Sequence, residues 1–247
     1  MAPNSLTMVK TGGSIFIALP LVVMLLSLLP VCILFVRKVT PSAILNVLKI
    51  LCLLSFLQYL TIYFLQPGTP SLQTGFRLAE FTLIFYLFKL LMPAQQGKEI
   101  MNMFLVSFLS VIITIYTLKG ISAYTATITI IEAALLTVLA LAALTQLINN
   151  RHIVLMNEPA FWMAGGLLCY FGMVVFMESI AGYQSDLSQQ ILSEKDLIIT
   201  VADILKMVFF IVAACVAGKK DNNSNNNADD YTPPRLPPQI PRRTIKY

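Results

Sequence analysis

The chain has 247 residues, 57% of them hydrophobic and only 12% charged, where a soluble domain carries about 25% charged residues. That balance excludes an ordinary water-soluble globule, and the length is accounted for by one apolar bundle with a tail. The formal net charge of +5 reads as basic residues at membrane borders rather than as a nucleic-acid footprint, so no nucleic-acid partner is expected.

In chain order, apolar stretches fall at residues 14–35, 43–65, 76–92, 100–118, 127–148, 160–181 and 197–217. Each is close to the ~20 residues that a ~30 Å hydrocarbon layer requires. Backbone groups in lipid must find their hydrogen bonds within the segment, so each stretch is expected to be a helix. The predicted fold is an all-α membrane protein, a seven-transmembrane-helix bundle over 14–218 with a short extracytoplasmic N-terminus at 1–13. The first stretch is too long for the core of a cleavable signal and is followed by Arg37-Lys38.

The breaks between stretches carry turn residues. Gln66-Pro67-Gly68-Thr69-Pro70 interrupts the chain after the second helix, and Pro93 closes the third. Asn157-Glu158-Pro159 opens the sixth, with proline where a helix start has no use for its N–H. Residues 183–196 form the longest loop, expected outside. Arg37, Lys38, Lys89, Lys98, Arg151, Lys219 and Lys220 gather at one set of borders, against Lys10, Arg77, Lys119 and Lys195 at the other. This bias places the N-terminus outside and the C-terminus in the cytoplasm. Residues 219–247 turn Asn-rich and then Pro-rich, a composition that cannot bury a core, so a disordered cytoplasmic tail is expected there.

Gly165, Gly166, Cys169 and Gly172 give helix six a small face. Ala133, Ala134, Ala140, Ala142 and Ala143 do so in helix five, and Ala213 and Ala217 in helix seven. Such residues let membrane helices approach closely, so they read as packing. Cys32, Cys52, Cys169 and Cys215 all fall in apolar stretches, which implies neither a disulfide framework nor a metal motif.

The functional signal lies in ionisable residues within the spans: Glu80, Glu132, Glu178, Asp203 and Lys206. A charge at the bilayer centre costs at least ~2.5–3.5 kcal/mol, so these side chains are expected to face the bundle interior or a wet cavity. They predict an acidic, outward-opening pocket between helices three, five, six and seven, with Lys206 at its floor. A structural reading competes: Arg77 with Glu80, and Asp203 with Lys206, have the three-residue spacing of local ion pairs. Lys49 and Lys89 lie near helix ends, where they can snorkel. His152 is expected in a loop and Trp162 as an interfacial anchor.

No Walker loop, His-Glu-x-x-His, Gly-x-Ser-x-Gly or Cys-x-x-Cys occurs, and one histidine cannot supply a two-histidine haem site. A non-enzymatic protein with no cofactor and no metal is therefore expected.

Phe76-Arg77-Leu78-Ala79-Glu80-Phe81, Ile131-Glu132-Ala133-Ala134-Leu135-Leu136, and Asn157-Glu158-Pro159-Ala160-Phe161-Trp162 leading to Gly165-Gly166 and Tyr170 resemble elements of small seven-helix membrane proteins of Bacteroidota. Those proteins in turn resemble the seven-helix input modules of bacterial signalling proteins. The resemblance implies a multi-pass protein of the bacterial inner membrane with a sensory or accessory role, and Glu80 and Glu132 match its acidic positions. Asp203 and Lys206 stand outside that pattern.

The expected function is a sensor, or a subunit of a membrane complex, in which a small cation, a polar ligand or a proton engages the acidic pocket. No output domain is fused, so a membrane or cytoplasmic protein partner is expected beside the lipid bilayer. Pro233, Pro234, Arg235, Pro237 and Pro238 are its candidate docking residues. The alternatives are a transporter and a retinal-type protein with Lys206 as Schiff-base lysine.

Overall fold

The computed structural model describes residues 5–39, 42–65, 70–91, 95–119, 125–149, 155–183 and 189–229. Among them are seven α-helices and no strand: α1 (Ser5–Val36), α2 (Ala43–Leu65), α3 (Pro70–Leu91), α4 (Gln95–Lys119), α5 (Thr125–Asn149), α6 (Pro159–Tyr183) and α7 (Gln189–Asp229). A 3-10 turn, Leu155–Asn157, precedes α6.

Six helices hold a stretch long and apolar enough to cross a membrane: Ala18–Val36, Ala43–Phe64, Met101–Leu118, Thr127–Asn149, Pro159–Ile180 and Glu194–Ala217. The chain is thus a multi-pass helical membrane protein. The helix outside that set is α3, which carries Arg77, Glu80 and Lys89. It is nevertheless deeply packed, with Phe81, Ile84, Phe85, Leu87 and Phe88 all buried.

Packing neighbours run α1–α2–α3–α5–α6–α7 and back to α1, which closes a ring. Helix α4 lies outside the ring, against α3, through rings such as Phe81 and Phe108, whose centroids are 5.0 Å apart. Its remaining faces are apolar and exposed, as Met103, Val106 and Leu118 show. Exposed apolar surface on a spanning helix is what lipid covers.

Local chemistry fixes several helix ends. The Ser42 hydroxyl accepts a 3.2 Å bond from the Leu45 N–H, capping α2. At the end of α1, Val39 N–H donates to Leu34 O and Lys38 N–H to Phe35 O. With Lys38 at φ 48°, this is a Schellman cap in which Val39 packs with Leu34, both buried. Arg37 then reaches across to donate a 2.9 Å bond to the Cys215 carbonyl of α7. Pro159 stands at the first position of α6, as the sequence predicts, and the indole N–H of Trp162 donates 3.0 Å to the Met156 carbonyl. Trp162 therefore ties the 3-10 turn to its helix.

The predicted helix starts are late in four places: α1 begins at Ser5 instead of 14, inside the expected 1–13 N-terminal segment, and α4 at Gln95 instead of 100. Helix α3 begins at Pro70 instead of 76 and α7 at Gln189 instead of 197, because the apolar stretch marks only the part of a helix that lipid surrounds. Helix α7 also continues to Asp229, past residue 219 where the tail is expected; a helix already formed is extended at little cost. Residues 230–247, with Pro233, Pro234, Arg235, Pro237 and Pro238, and His152 lie outside the described residues.

The predicted small faces are used unevenly. A Cβ placed on Gly166 would stand 2.7 Å from Phe209 Cβ and 3.4 Å from the Lys206 carbonyl, so α6 and α7 touch backbone to side chain there. Gly172 meets nothing within 4 Å, and Cys169 is exposed. Ala133, Ala140, Ala143, Ala213 and Ala217 are buried.

Candidate functional site

The site lies at the end of the bundle where α3, α5 and α7 begin and α6 finishes. Its shape is a cavity of about 80 Å³ among those four helices, several times the space one water needs. Glu80, Glu132 and Glu178 line it, with Arg77 and the rings of Phe81, Tyr170 and Phe171. Three of the five ionisable residues singled out from sequence thus share one cavity. The other two, Asp203 and Lys206, are off its lining and one layer deeper.

Depth orders these groups. Glu178 is two residues from the end of the Pro159–Ile180 stretch, and its carboxylate takes a 2.8 Å ion pair from Lys195 of α7. Glu132 lies further in, on α5. Lys206 stands midway along Glu194–Ala217 and is 2% exposed, so its charge is held where lipid makes an isolated ion costly.

Lys206 meets that cost with two carboxylates and a ring. Its ammonium donates 3.1 Å to Glu80 Oε1 of α3. It stands 4.1 Å from the centroid of the Tyr170 ring. It is also 2.7 Å from Asp203 Oδ1, one turn earlier on its own helix. That last contact is a close, buried ion pair, in which Lys206 is the partner of Oδ1. The other oxygen of Asp203 accepts a short hydrogen bond from the Tyr59 hydroxyl of α2.

Both predicted three-residue pairings are thereby decided. Asp203 and Lys206 do pair. Arg77 instead turns to α5 and donates 3.0 Å to the Thr129 hydroxyl, leaving Glu80 to Lys206. Glu132 makes no hydrogen bond and no ion pair within 4 Å among the described residues, but Arg77 acts on it across the cavity.

A charge count follows from these contacts. Glu80, Glu132, Glu178 and Asp203 supply four carboxylates, and Arg77, Lys195 and Lys206 supply three cations. One negative charge is left over for the cluster as a whole: Lys206 is shared by Glu80 and Asp203, while Arg77 acts on Glu132 across the cavity. Among the described residues no cluster of His, Cys, Asp and Glu has a metal-holding arrangement.

Sequence reasoning missed Tyr59 and the role of Tyr170, because it searched for ionisable groups alone. The adjacent polar pair Gln58-Tyr59, deep in the apolar stretch of α2, is the signal that was available. Comparison with protein-family models, curated proteins and solved structures finds no match to this chain.

Proposed function

We propose that this protein is a membrane sensor, or the sensory subunit of a membrane complex, which binds a small organic cation in the cavity between α3, α5, α6 and α7. The observation that carries this reading is the cavity: three carboxylates, Glu80, Glu132 and Glu178, line a space several waters large with Arg77 as its one lining cation, and Glu132 is in no close ion pair among the described residues. A primary ammonium would balance the leftover charge, and the faces of Phe81, Tyr170 and Phe171 suit a cation. In this reading α3 is a seventh crossing whose charges face inward, the cavity opens outside, the C-terminal end of α7 is cytoplasmic, and the membrane is the bacterial inner membrane.

Nothing in the arrangement calls for chemistry on the ligand. The Lys206 ammonium is held by Glu80, Asp203 and Tyr170, which suits an ion-pair centre better than a Schiff-base lysine with a chromophore beside it. Binding is expected to be read out through the helices by a separate protein.

Calorimetric titration of the full chain in lipid nanodiscs with methylammonium chloride tests the reading. Saturable binding is expected, weakened at least about tenfold, or about 1.4 kcal/mol, by Glu132→Gln. Equal affinity in the two proteins would end the assignment.

A further inference from the structure

We infer that the end of α1 is a binding site for an anionic phospholipid, whose phosphate is taken by Arg37 and Lys38 and whose acyl chain lies on Phe35 and Val36. This corner stands at the end of the bundle away from the cavity and is independent of the cation reading.

Three observations carry it. The first is the order of surface chemistry along the chain. Phe35 and Val36 close the apolar stretch Ala18–Val36 and are 82% and 77% exposed. The next two residues, Arg37 and Lys38, are exposed cations. A phospholipid has the same sequence along its length, hydrocarbon followed directly by charge.

Second, the chain supplies this pair with no counterion. Neither residue is in an ion pair among the described residues. Helix α1 packs chiefly on α2 and α7. Neither α1 nor α2 contains an Asp or a Glu, and α7 has none between Lys206 and Ala217. Arg37 is nevertheless held in place, since one N–H is given to the Cys215 carbonyl at 2.9 Å. A guanidinium has five N–H donors in a fixed fork, so the others remain for phosphate oxygens.

Third, Lys38 occupies a position that favours glycine. Its φ is 48°, in a turn pinned by Val39, which is buried with Leu34. A backbone outlier of this kind points to a task for the side chain it carries. Cations just beyond a spanning helix attract anionic lipid in general. Here a pinned guanidinium, a lysine in a left-handed turn and two bare apolar side chains make a place for one molecule.

The test uses the full chain in neutral detergent, stripped of lipid and titrated with phosphatidylglycerol or phosphatidylcholine, the bound lipids being counted by native mass spectrometry. The first phosphatidylglycerol is expected to bind at least about tenfold more tightly than phosphatidylcholine. Lys38→Gly keeps and eases the turn, and is expected to cut that preference to about threefold or less. Adding Arg37→Gln is expected to abolish it. Should the double variant fail to fold, Lys38→Gly alone decides, because it leaves the Arg37 link to α7 intact. Lys89→Gln removes one charge from α3 at the same end of the bundle and is expected to leave the preference whole. Equal binding of the two lipids by the unsubstituted protein, an undiminished preference in Lys38→Gly, or the same loss in Lys89→Gln would overturn the site. Displacement of the lipid by an equal concentration of glycerol 3-phosphate, which has the phosphate but no chains, would overturn it in favour of a soluble anion.

Discussion

Lys206 of α7 donates a 3.1 Å hydrogen bond to Glu80 of α3, and this contact sets where charge can sit in an otherwise apolar bundle. Removing the lysine leaves the buried Asp203 and the partly buried Glu80 facing one another without a cation between them. Lys206→Met is expected to cost about 3–5 kcal/mol, the range for breaking a buried pair from one side. Adding Glu80→Gln and Asp203→Asn to it is expected to restore most of that loss, because a neutral cluster carries no stranded charge. Denaturant titration of the purified variants measures both. An undiminished Lys206→Met protein would show that water, rather than the pairing, solvates the cluster.

The rim pair behaves differently. Lys195 and Glu178 are 2.8 Å apart but partly exposed, at 18% and 11%, so solvent screens their attraction. Lys195→Ala is expected to cost no more than about 1 kcal/mol, measured in the same titration.

Gly166 and Gly172 share α6 but not a fate. Gly166→Ala forces a methyl group to within 2.7 Å of Phe209 Cβ, which sits too near the backbone to give way. A loss of about 1–3 kcal/mol is expected from such overpacking. Gly172→Ala enters open space and is expected to be neutral or stabilising by up to about 1 kcal/mol through helix propensity. Thermal unfolding of the two variants side by side separates close approach from mere smallness.

Lys38 ends α1 with φ 48°, a left-handed conformation that costs a side chain about 1–2 kcal/mol. Lys38→Gly is expected to raise stability by about 1 kcal/mol. Lys38→Asn, which also tolerates this conformation, is expected to gain less. Unchanged melting of the glycine variant would mean that lysine makes compensating contacts there.

Much of the fold is legible in the sequence because lipid allows so few solutions. Stretches near 20 apolar residues must be helices, and Pro159 and the Arg37-Lys38 stop mark their ends by local chemistry alone. The polar extensions of α3 and α7 were illegible, since hydropathy stops reporting where lipid stops. The exclusion of α4 from the ring was equally hidden: its apolar run looks like its neighbours', and only tertiary contact shows that it packs chiefly on α3.

At the site, the sequence names the right helices for Glu80, Glu132 and Glu178, because intramembrane carboxylates must turn inward. It cannot choose partners. Arg77 and Glu80 have the spacing of a pair, yet Thr129 and Lys206 win them, as spacing fixes proximity on one helix but not what a neighbouring helix brings.

Trp162 is the sole tryptophan of the chain and lies at the start of α6, against Phe209 of α7, far from the cavity at the other end of both helices. Its fluorescence in nanodiscs during a methylammonium titration therefore reads binding and transmission together. A saturable change is expected in the unsubstituted protein and none in Glu132→Gln. A flat response in the unsubstituted protein, or the same response in both, would contradict a cation sensor.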